Sequence, residues 1–431
     1  MMIDNNVSRS SEADASTPLD HILVNIFSFL SLTERVQAGY VCKSWQDCFN
    51  SPYLWKRFVF RFFKSEDQRL LKCLKKHGPW LRHLNILLDQ EVKINRDNLC
   101  ETLSWIANMK ERRIQSLRIY FCGENPLFYA GVEIANLLHK IFKPDEDVET
   151  LIDLKEVDLG GLGIAFDDNL FNLLAGNNQN LQRLNIQNKS LICKVTPACV
   201  INIIKKCKKL KDLRLFYTSM SDEVLEALCA PDRRPLEYLS LLCTRTEKFG
   251  KVLSKEAWMK LTKASPNLKV GLQFDHTIPV HKIWEITIPQ IPLYALRFET
   301  FTELIEEVEY VTATFHKTLQ KISLHTPPGD KLERALLNLV ASCNLKALYV
   351  FCVLSEETID KILETRPDLE ELVNISLYLY EQHLLKHFTI KVKSPCFVNN
   401  QRDEDQSQNE GKLCIVNNIL VSSNGQWNIL R

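Results

Sequence analysis

Thiols and imidazoles are the side chains to weigh first for chemistry, because the 431-residue chain carries 14 Cys and 10 His. A thiolate beside an imidazole could act as a nucleophile, and a Cys/His cluster could hold zinc. The cysteines lie at 42, 48, 73, 100, 122, 193, 199, 207, 229, 243, 343, 352, 396 and 414, and no two form a C-x-x-C pair. Zinc-ribbon and thioredoxin-type readings therefore lose their basic unit. No local motif selects a Cys–His pair, so the thiols read as small packing groups. Cys42, Cys122, Cys207, Cys243, Cys343 and Cys352 are expected to be buried.

His383 and His387 are spaced i, i+4, which one helix face could present to a metal. No H-E-x-x-H and no third ligand accompany them, so they read as a surface or half-buried helix pair. No metal and no cofactor is expected. Gly160-Gly161-Leu162-Gly163 lacks both the G-x-G-x-x-G spacing and a lysine, and reads as a turn. The basic run Lys205-Lys206-Cys207-Lys208-Lys209-Leu210-Lys211 reads as a solvated helix end, with a patch for an acidic segment or RNA as the alternative.

The elements that must position these groups are legible in composition and pattern. Lys+Arg number 54 against 53 Asp+Glu, a net charge of +1, which gives no global drive toward nucleic acid or an anionic membrane. A nucleic-acid partner is accordingly not expected. There is no apolar run long enough for a transmembrane helix, and Met1–Pro18 has no apolar signal core. Cytoplasmic and/or nuclear localisation with reduced thiols is expected.

One pattern, L-x-x-L-x-Φ with Φ apolar, returns along most of the chain. It appears at Leu81/Leu84/Ile86, Ile114/Leu117/Ile119, Leu154/Val157/Leu159, Leu181/Leu184/Ile186, Leu210/Leu213/Leu215 and Leu236/Leu239/Leu241. It continues at Leu293/Leu296/Phe298, Leu319/Ile322/Leu324 and Leu345/Leu348/Val350, with degenerate copies from Leu268 and Leu369. Most spacings lie near ~26 residues, within the range of leucine-rich repeats. The alternating part is a short strand that buries one side. Helices fill the gaps: Thr196-Pro197, Ser221-Asp-Glu and Ser355-Glu-Glu are helix starts. One strand–helix unit cannot cover its own apolar face, but stacked units share a core. The expected fold is α/β: a small all-α module followed by a curved solenoid, strands concave and helices convex. Residues 1–16 read as a disordered tail, 17–62 as the helical module, 63–395 as about eleven irregular repeats, and 396–431 as a tail that could add a strand.

Strand positions between the buried leucines should point to the concave face. The candidates there are Arg118, Tyr120, Arg183, Arg214, Phe216, Tyr238, Arg297, Lys321, Tyr349 and Phe351. Aromatic and Arg side chains are enriched at binding hot spots. Phe216, Tyr349 and Phe351 would be costly to leave bare. The chain's own tail, 392–431, covers them, or a partner does, or both together, or the strand register there is misread.

Residues 18–55, PLDHILVNIFSFLSLTERVQAGYVCKSWQDCFNSPYLW, place Ile22, Leu23, Ile26, Phe27 and Leu30 on one helical stripe. So short a block cannot supply a self-sufficient core. It resembles the F-box, L-P-x-E-I-L-x-x-I-F-x-x-L, then V-C-x-x-W, then L-W. The matches are Ile22, Leu23, Ile26, Phe27, Leu30, Val41, Cys42, Trp45, Leu54 and Trp55. The opening Leu-Pro stands as Pro18-Leu19, and His21 replaces the usual Glu. The repeat from Cys207, CKKLKDLRLFYTSMSDEVLEALC, resembles the cysteine-containing leucine-rich repeat.

Together these resemble substrate-receptor subunits of SCF ubiquitin ligases. SDEVLEALC, AWMKLTKASPNLKV and FHKTLQKI add a narrower likeness to the F-box only protein 39 group. The resemblance implies that Leu19, Ile22, Leu23, Ile26, Phe27, Leu30, Val41, Cys42 and Trp45 dock the S-phase-kinase-associated adaptor. Cullin and a RING subunit follow through the adaptor, and an unknown protein substrate sits on the repeats. The chain itself would be a non-catalytic subunit. A non-degradative binding scaffold, or a carrier of protein or RNA, is the alternative, with a Cys- or His-based enzyme a weaker one.

Overall fold

Apolar side chains at every second strand position, set between amphipathic helices, leave one economical arrangement: parallel strands side by side with their helices on one face. The computed structural model has this arrangement. It describes residues 18–109, 112–126, 130–143, 153–188, 193–380 and 383–392, and the short segments 414–416, 419–421 and 427–429. The expected tail 1–16 lies outside the described residues.

Three helices open the chain: α1 (Pro18–Phe29), α2 (Leu32–Ala38) and α3 (Lys43–Phe49). A sheet of thirteen strands in sequential order follows. Its strands are β1 (Arg57–Phe62), β2 (His83–Asp89), β3 (Ser116–Cys122), β4 (Glu156–Gly161), β5 (Arg183–Asn185), β6 (Asp212–Phe216) and β7 (Tyr238–Cys243). The rest are β8 (Lys269–Phe274), β9 (Leu293–Phe298), β10 (Lys321–Leu324), β11 (Ala347–Val350), β12 (Glu371–Tyr380) and β13 (His383–Val392). Each pair from β1–β2 to β11–β12 is parallel, as β1–β2 and β11–β12 illustrate. β13 turns back antiparallel on β12 and ends the sheet.

Strands β2 to β12 coincide with the eleven repeat motifs, and the motif leucines form the core; Leu210, Leu213 and Leu215 are fully buried. The expected helix starts are present. Thr196 Oγ1 accepts from Cys199 N at 3.3 Å, Ser221 Oγ from Val224 N at 3.3 Å, and Ser355 Oγ from Thr358 N at 3.2 Å. Each cap satisfies one orphan donor of a helix N-terminus.

Four features differ from the sequence reading. The sheet begins one strand before the first motif, because the run Arg57–Phe62 alternates without leucines; Phe58, Phe60 and Phe62 stack inward. His383 and His387 lie on strand β13, not on a helix. Gly160 and Gly161 end strand β4 instead of making a turn. A Cβ on Gly161 would stand 2.8 Å from the Tyr120 backbone, where the β3–β4 register shifts, so only glycine fits that approach. Finally, the last stretch holds three short strands, β14 (Cys414–Val416), β15 (Ile419–Val421) and β16 (Trp427–Ile429), in a sheet of their own.

The helical module is fastened to the sheet at Trp55, which is fully buried. Its Nε1 donates to Phe49 O at 2.6 Å, and its ring stacks on His77 at 4.0 Å. Arg35 donates to the carbonyls of Phe27, Leu30 and Leu54 at 3.2, 3.1 and 2.8 Å, joining α1, α2 and the junction.

Burial, with the charge of Lys76, lowers the His77 pKa to about 4. Its Nε2 has no hydrogen-bond partner. A base whose folded pKa lies below its unfolded value stabilises the fold fully above about pH 6.5 and loses that contribution as pH falls toward about 4. His325, also lowered to about 4 by burial, acts in the same direction, whereas Glu247, raised to about 7 by burial, acts oppositely. The wild-type curve mixes all three. The difference between wild type and His77→Phe isolates one: the substitution should flatten the urea-midpoint profile between about pH 6.5 and 4, by at most about 3 kcal/mol. Parallel profiles would contradict this account of the junction.

Candidate adaptor-docking face and substrate cleft

The α1 stripe divides into two faces. Ile22 and Ile26 are about half exposed, at 56% and 51%, while Phe27 is 1% exposed and meets the Trp45 ring edge-on at 5.4 Å. Phe27 is therefore core and not docking surface: the stripe spans more than one helical face, and α3 takes its inner side. Leu23, Leu30 and Trp45 are half-buried against the same core. Val41 and Cys42 stand exposed between α2 and α3, which corrects the expectation that Cys42 is buried. Leu19 lies on α1, but its side chain is outside the described set.

Sequence reasoning missed three bare aromatics. Phe29 is 67% exposed and Tyr40 82%, with Tyr53 also exposed. Phe29 was findable, since it follows Ile22 by seven residues and Ile26 by three and so shares their face. Exposed apolar groups concentrated on one small module mark a protein-contact surface.

The second feature is an open concavity of about 480 Å³ on the strand face. Eight of the ten expected concave residues line it: Arg118, Tyr120, Arg183, Arg214, Tyr238, Arg297, Lys321 and Tyr349. Parallel register places them in rows. Arg118 neighbours Asp158, which neighbours Asn185, then Arg214 and Ser240. One row across, Glu156 leads through Arg183 and Asp212 to Tyr238.

The acids in these rows were not foreseen, and they define the electrostatics. Glu156 pairs with Arg118 and stands 3.8 Å from Arg183. Asp158 accepts from Tyr120 Oη at 2.5 Å and from Asn185 Nδ2 at 2.8 Å. Burial, reinforced by Asp158, pushes the Tyr120 phenol far above its ordinary range. Arg214 donates Nε and Nη2 to Asp212 at 3.1 and 3.0 Å, and its guanidinium lies 5.2 Å from the Tyr238 ring centre. Burial alone would lower the Arg214 pKa, but Asp212 raises it well above the ordinary value. The floor is built for close approach: a Cβ on Gly271 would meet Tyr238 Oη at 2.7 Å.

Phe216 is buried at 3% and does not line the cleft, and Tyr349, though a lining residue, is buried at 5% with its hydroxyl on Glu371. Phe351 lies beyond the cleft, stacked on His325 at 4.0 Å. Of the tail 392–431, which the sequence offered as a cover, all but residue 392 and the three short strands lies outside the described residues. The basic run is largely partnered: Lys208 with Asp232 at 2.6 Å, Lys209 with Asn180 at 2.6 Å, Lys211 with Glu237 at 3.5 Å.

Among the described residues no cluster of His, Cys, Asp and Glu could hold a metal. Cys122, Cys207, Cys243, Cys343 and Cys352 are buried as expected. Burial pushes the thiols of Cys207 and Cys343 up to about 11 and that of Cys352 to about 12. Such groups are inert as nucleophiles.

Residues 20–61 match the F-box-like family. Over 343 residues the chain is 27% identical to human F-box/LRR-repeat protein 8, which covers 79% of this chain and 90% of that relative. The chain thus has an F-box-like domain and is similar over most of its length to F-box/leucine-rich-repeat proteins. Mouse F-box/LRR-repeat protein 21 is 27% identical over 273 residues, covering 61% of this chain and 60% of the relative. Human F-box only protein 33 is 21% identical over 362 residues, covering 71% and 64%. The class has this support; the narrower likeness to the F-box only protein 39 group does not. The F-box-like domain implies an adaptor of the S-phase-kinase-associated type, and the F-box/leucine-rich-repeat proteins to which the chain is similar are generally non-catalytic.

Proposed function

We propose that this F-box/leucine-rich-repeat protein is the substrate-holding subunit of an SCF-type ubiquitin ligase, acting in the cytosol or nucleus. The observation that carries the reading is the bare apolar face of α1, Ile22, Ile26 and Phe29, on a module whose inner face is already filled by Phe27 and Trp45. That face docks the adaptor, which brings the cullin, the RING subunit and a ubiquitin-loaded conjugating enzyme. The concave cleft holds the protein to be modified. The stacking at Trp55 and His77 ties the module to the sheet, so docking at one end orients a substrate held along the other. The contribution to rate is proximity and orientation. The raised thiol pKa values support a chain that supplies no nucleophile of its own.

Proximity labelling with the full chain, with and without a cullin-pathway inhibitor, tests this. Some labelled proteins should accumulate only under inhibition and lose their label when Arg214→Ala and Tyr238→Ala are combined. A labelled set that is unchanged by inhibition would favour a non-degradative scaffold.

A further inference from the structure

The chain is electrically balanced, but its first strands are not. Strand β1 is the open edge of the sheet. Its inward residues Phe58, Phe60 and Phe62 are buried, so Arg57, Val59 and Arg61 face the concave side, and all three are exposed. Register sets Arg57 beside His83, and Val59 beside Asn85, which neighbours Arg118. Arg82 stands just before β2, its backbone N–H on Lys56 O at 2.9 Å.

Three of the neighbouring carboxylates are already engaged. Glu156 is taken by Arg118 and Arg183, Asp158 by Tyr120 and Asn185, and Asp153 by Lys155 at 3.7 Å and Asn180 at 2.9 Å. Among the described residues Arg57, Arg61 and Arg82 have no carboxylate partner. The cations also crowd one another. After burial, Arg113 lowers the pKa of Arg82, and Arg57, Arg118 and Lys155 help to lower that of His83. Register carries the row from Val59 through Asn85 to Arg118, where the lining of the cleft begins. Local charge of one sign beside a binding groove attracts and orients its complement.

We propose that this end of the concave face takes an acidic, extended segment of the protein held in the cleft. The inference rests on the receptor reading and names a substrate class for it: proteins presenting a carboxylate-rich stretch next to the region bound by the cleft. A carboxylate there forms charge-assisted pairs with Arg57 and Arg61, each of which has a planar donor fork to offer.

The bland role for arginines on an edge strand is to keep that edge from pairing with another chain. Fluorescence anisotropy separates the two, using the full chain with its adaptor and three probes: a polyglutamate peptide, a polyglutamine peptide and oligouridylate. Polyglutamate should bind and polyglutamine should not. Arg57→Gln with Arg61→Gln should weaken polyglutamate about fivefold, the scale of two exposed charge pairs, and flatten its salt dependence. Arg57→Lys with Arg61→Lys should restore most of it. Both positions are exposed, so the variants keep the core intact. Unchanged polyglutamate binding in the Gln variant overturns the proposal, as do equal binding of the two peptides, no binding, or a preference for oligouridylate. Any of these with cullin-dependent turnover intact removes this inference alone and leaves the receptor reading standing.

Discussion

Ile22→Asp combined with Ile26→Asp is expected to abolish adaptor capture while leaving the fold intact. Both side chains are about half exposed, so charging them costs little in the free chain. In a complex they would sit at the centre of an apolar contact, where each buried carboxylate without a partner is strongly unfavourable. Hot-spot losses of roughly 2 kcal/mol per position, about 4 kcal/mol for the pair, predict capture weakened on the order of a thousandfold. Phe27 makes the useful contrast. Its ring is buried against Trp45, so Phe27→Ala opens a cavity in the module and weakens adaptor binding only by unfolding it. Circular dichroism distinguishes the cases: unchanged thermal melting for the Asp pair, a lowered melting temperature for Phe27→Ala. Undiminished capture by a folded Asp pair would sink the docking assignment.

Trp55→Ala should be the most damaging single change to stability. The ring is fully buried, donates to Phe49 O, stacks on His77, and packs against Phe58 at 5.2 Å. Arg35 lies over it at 5.7 Å. Removing so large a buried aromatic costs about 3–5 kcal/mol. The loss falls at the centre of the junction between module and sheet, so one unfolding transition should become two. The solenoid transition should move little, because most of its core lies several strands away. A single, slightly lowered transition would mean that the junction does not depend on Trp55.

How much of this was legible depends on where the information resides. The L-x-x-L-x-Φ copies gave strands β2 to β12 because period-2 burial is written in each strand by itself. The caps at Thr196, Ser221 and Ser355 were equally local. β1 was not, since Arg57–Phe62 carries phenylalanines where the repeats carry leucines. Alternation also gave the facing of Arg118, Arg183 and Arg214, but not what lies across from them. Register brings Asp158 alongside Arg118, and Glu156 and Asp212 alongside Arg183, from separate repeats, and no single strand encodes that; only Asp212 with Arg214 lies within one strand. The burial of Phe216 and of Tyr349 was not legible for the same reason. Gln187 reaches across β6 to Leu215 O at 2.9 Å and Ser240 Oγ at 3.1 Å, and Glu371, one strand over, meets Tyr349. The division of the α1 stripe into a buried Phe27 and a bare Ile26 likewise follows from where α3 packs.

The central claim, that one end docks the ligase while the other holds the substrate, is tested most directly by reconstitution. Adaptor, cullin, RING subunit, conjugating enzyme and ubiquitin are combined with this chain and a partner recovered by proximity labelling. Wild type should build ubiquitin chains on the partner only when every component is present, and the Ile22→Asp, Ile26→Asp variant should build none while still binding the partner. Transfer by the isolated chain, or undiminished transfer by that variant, would contradict the account.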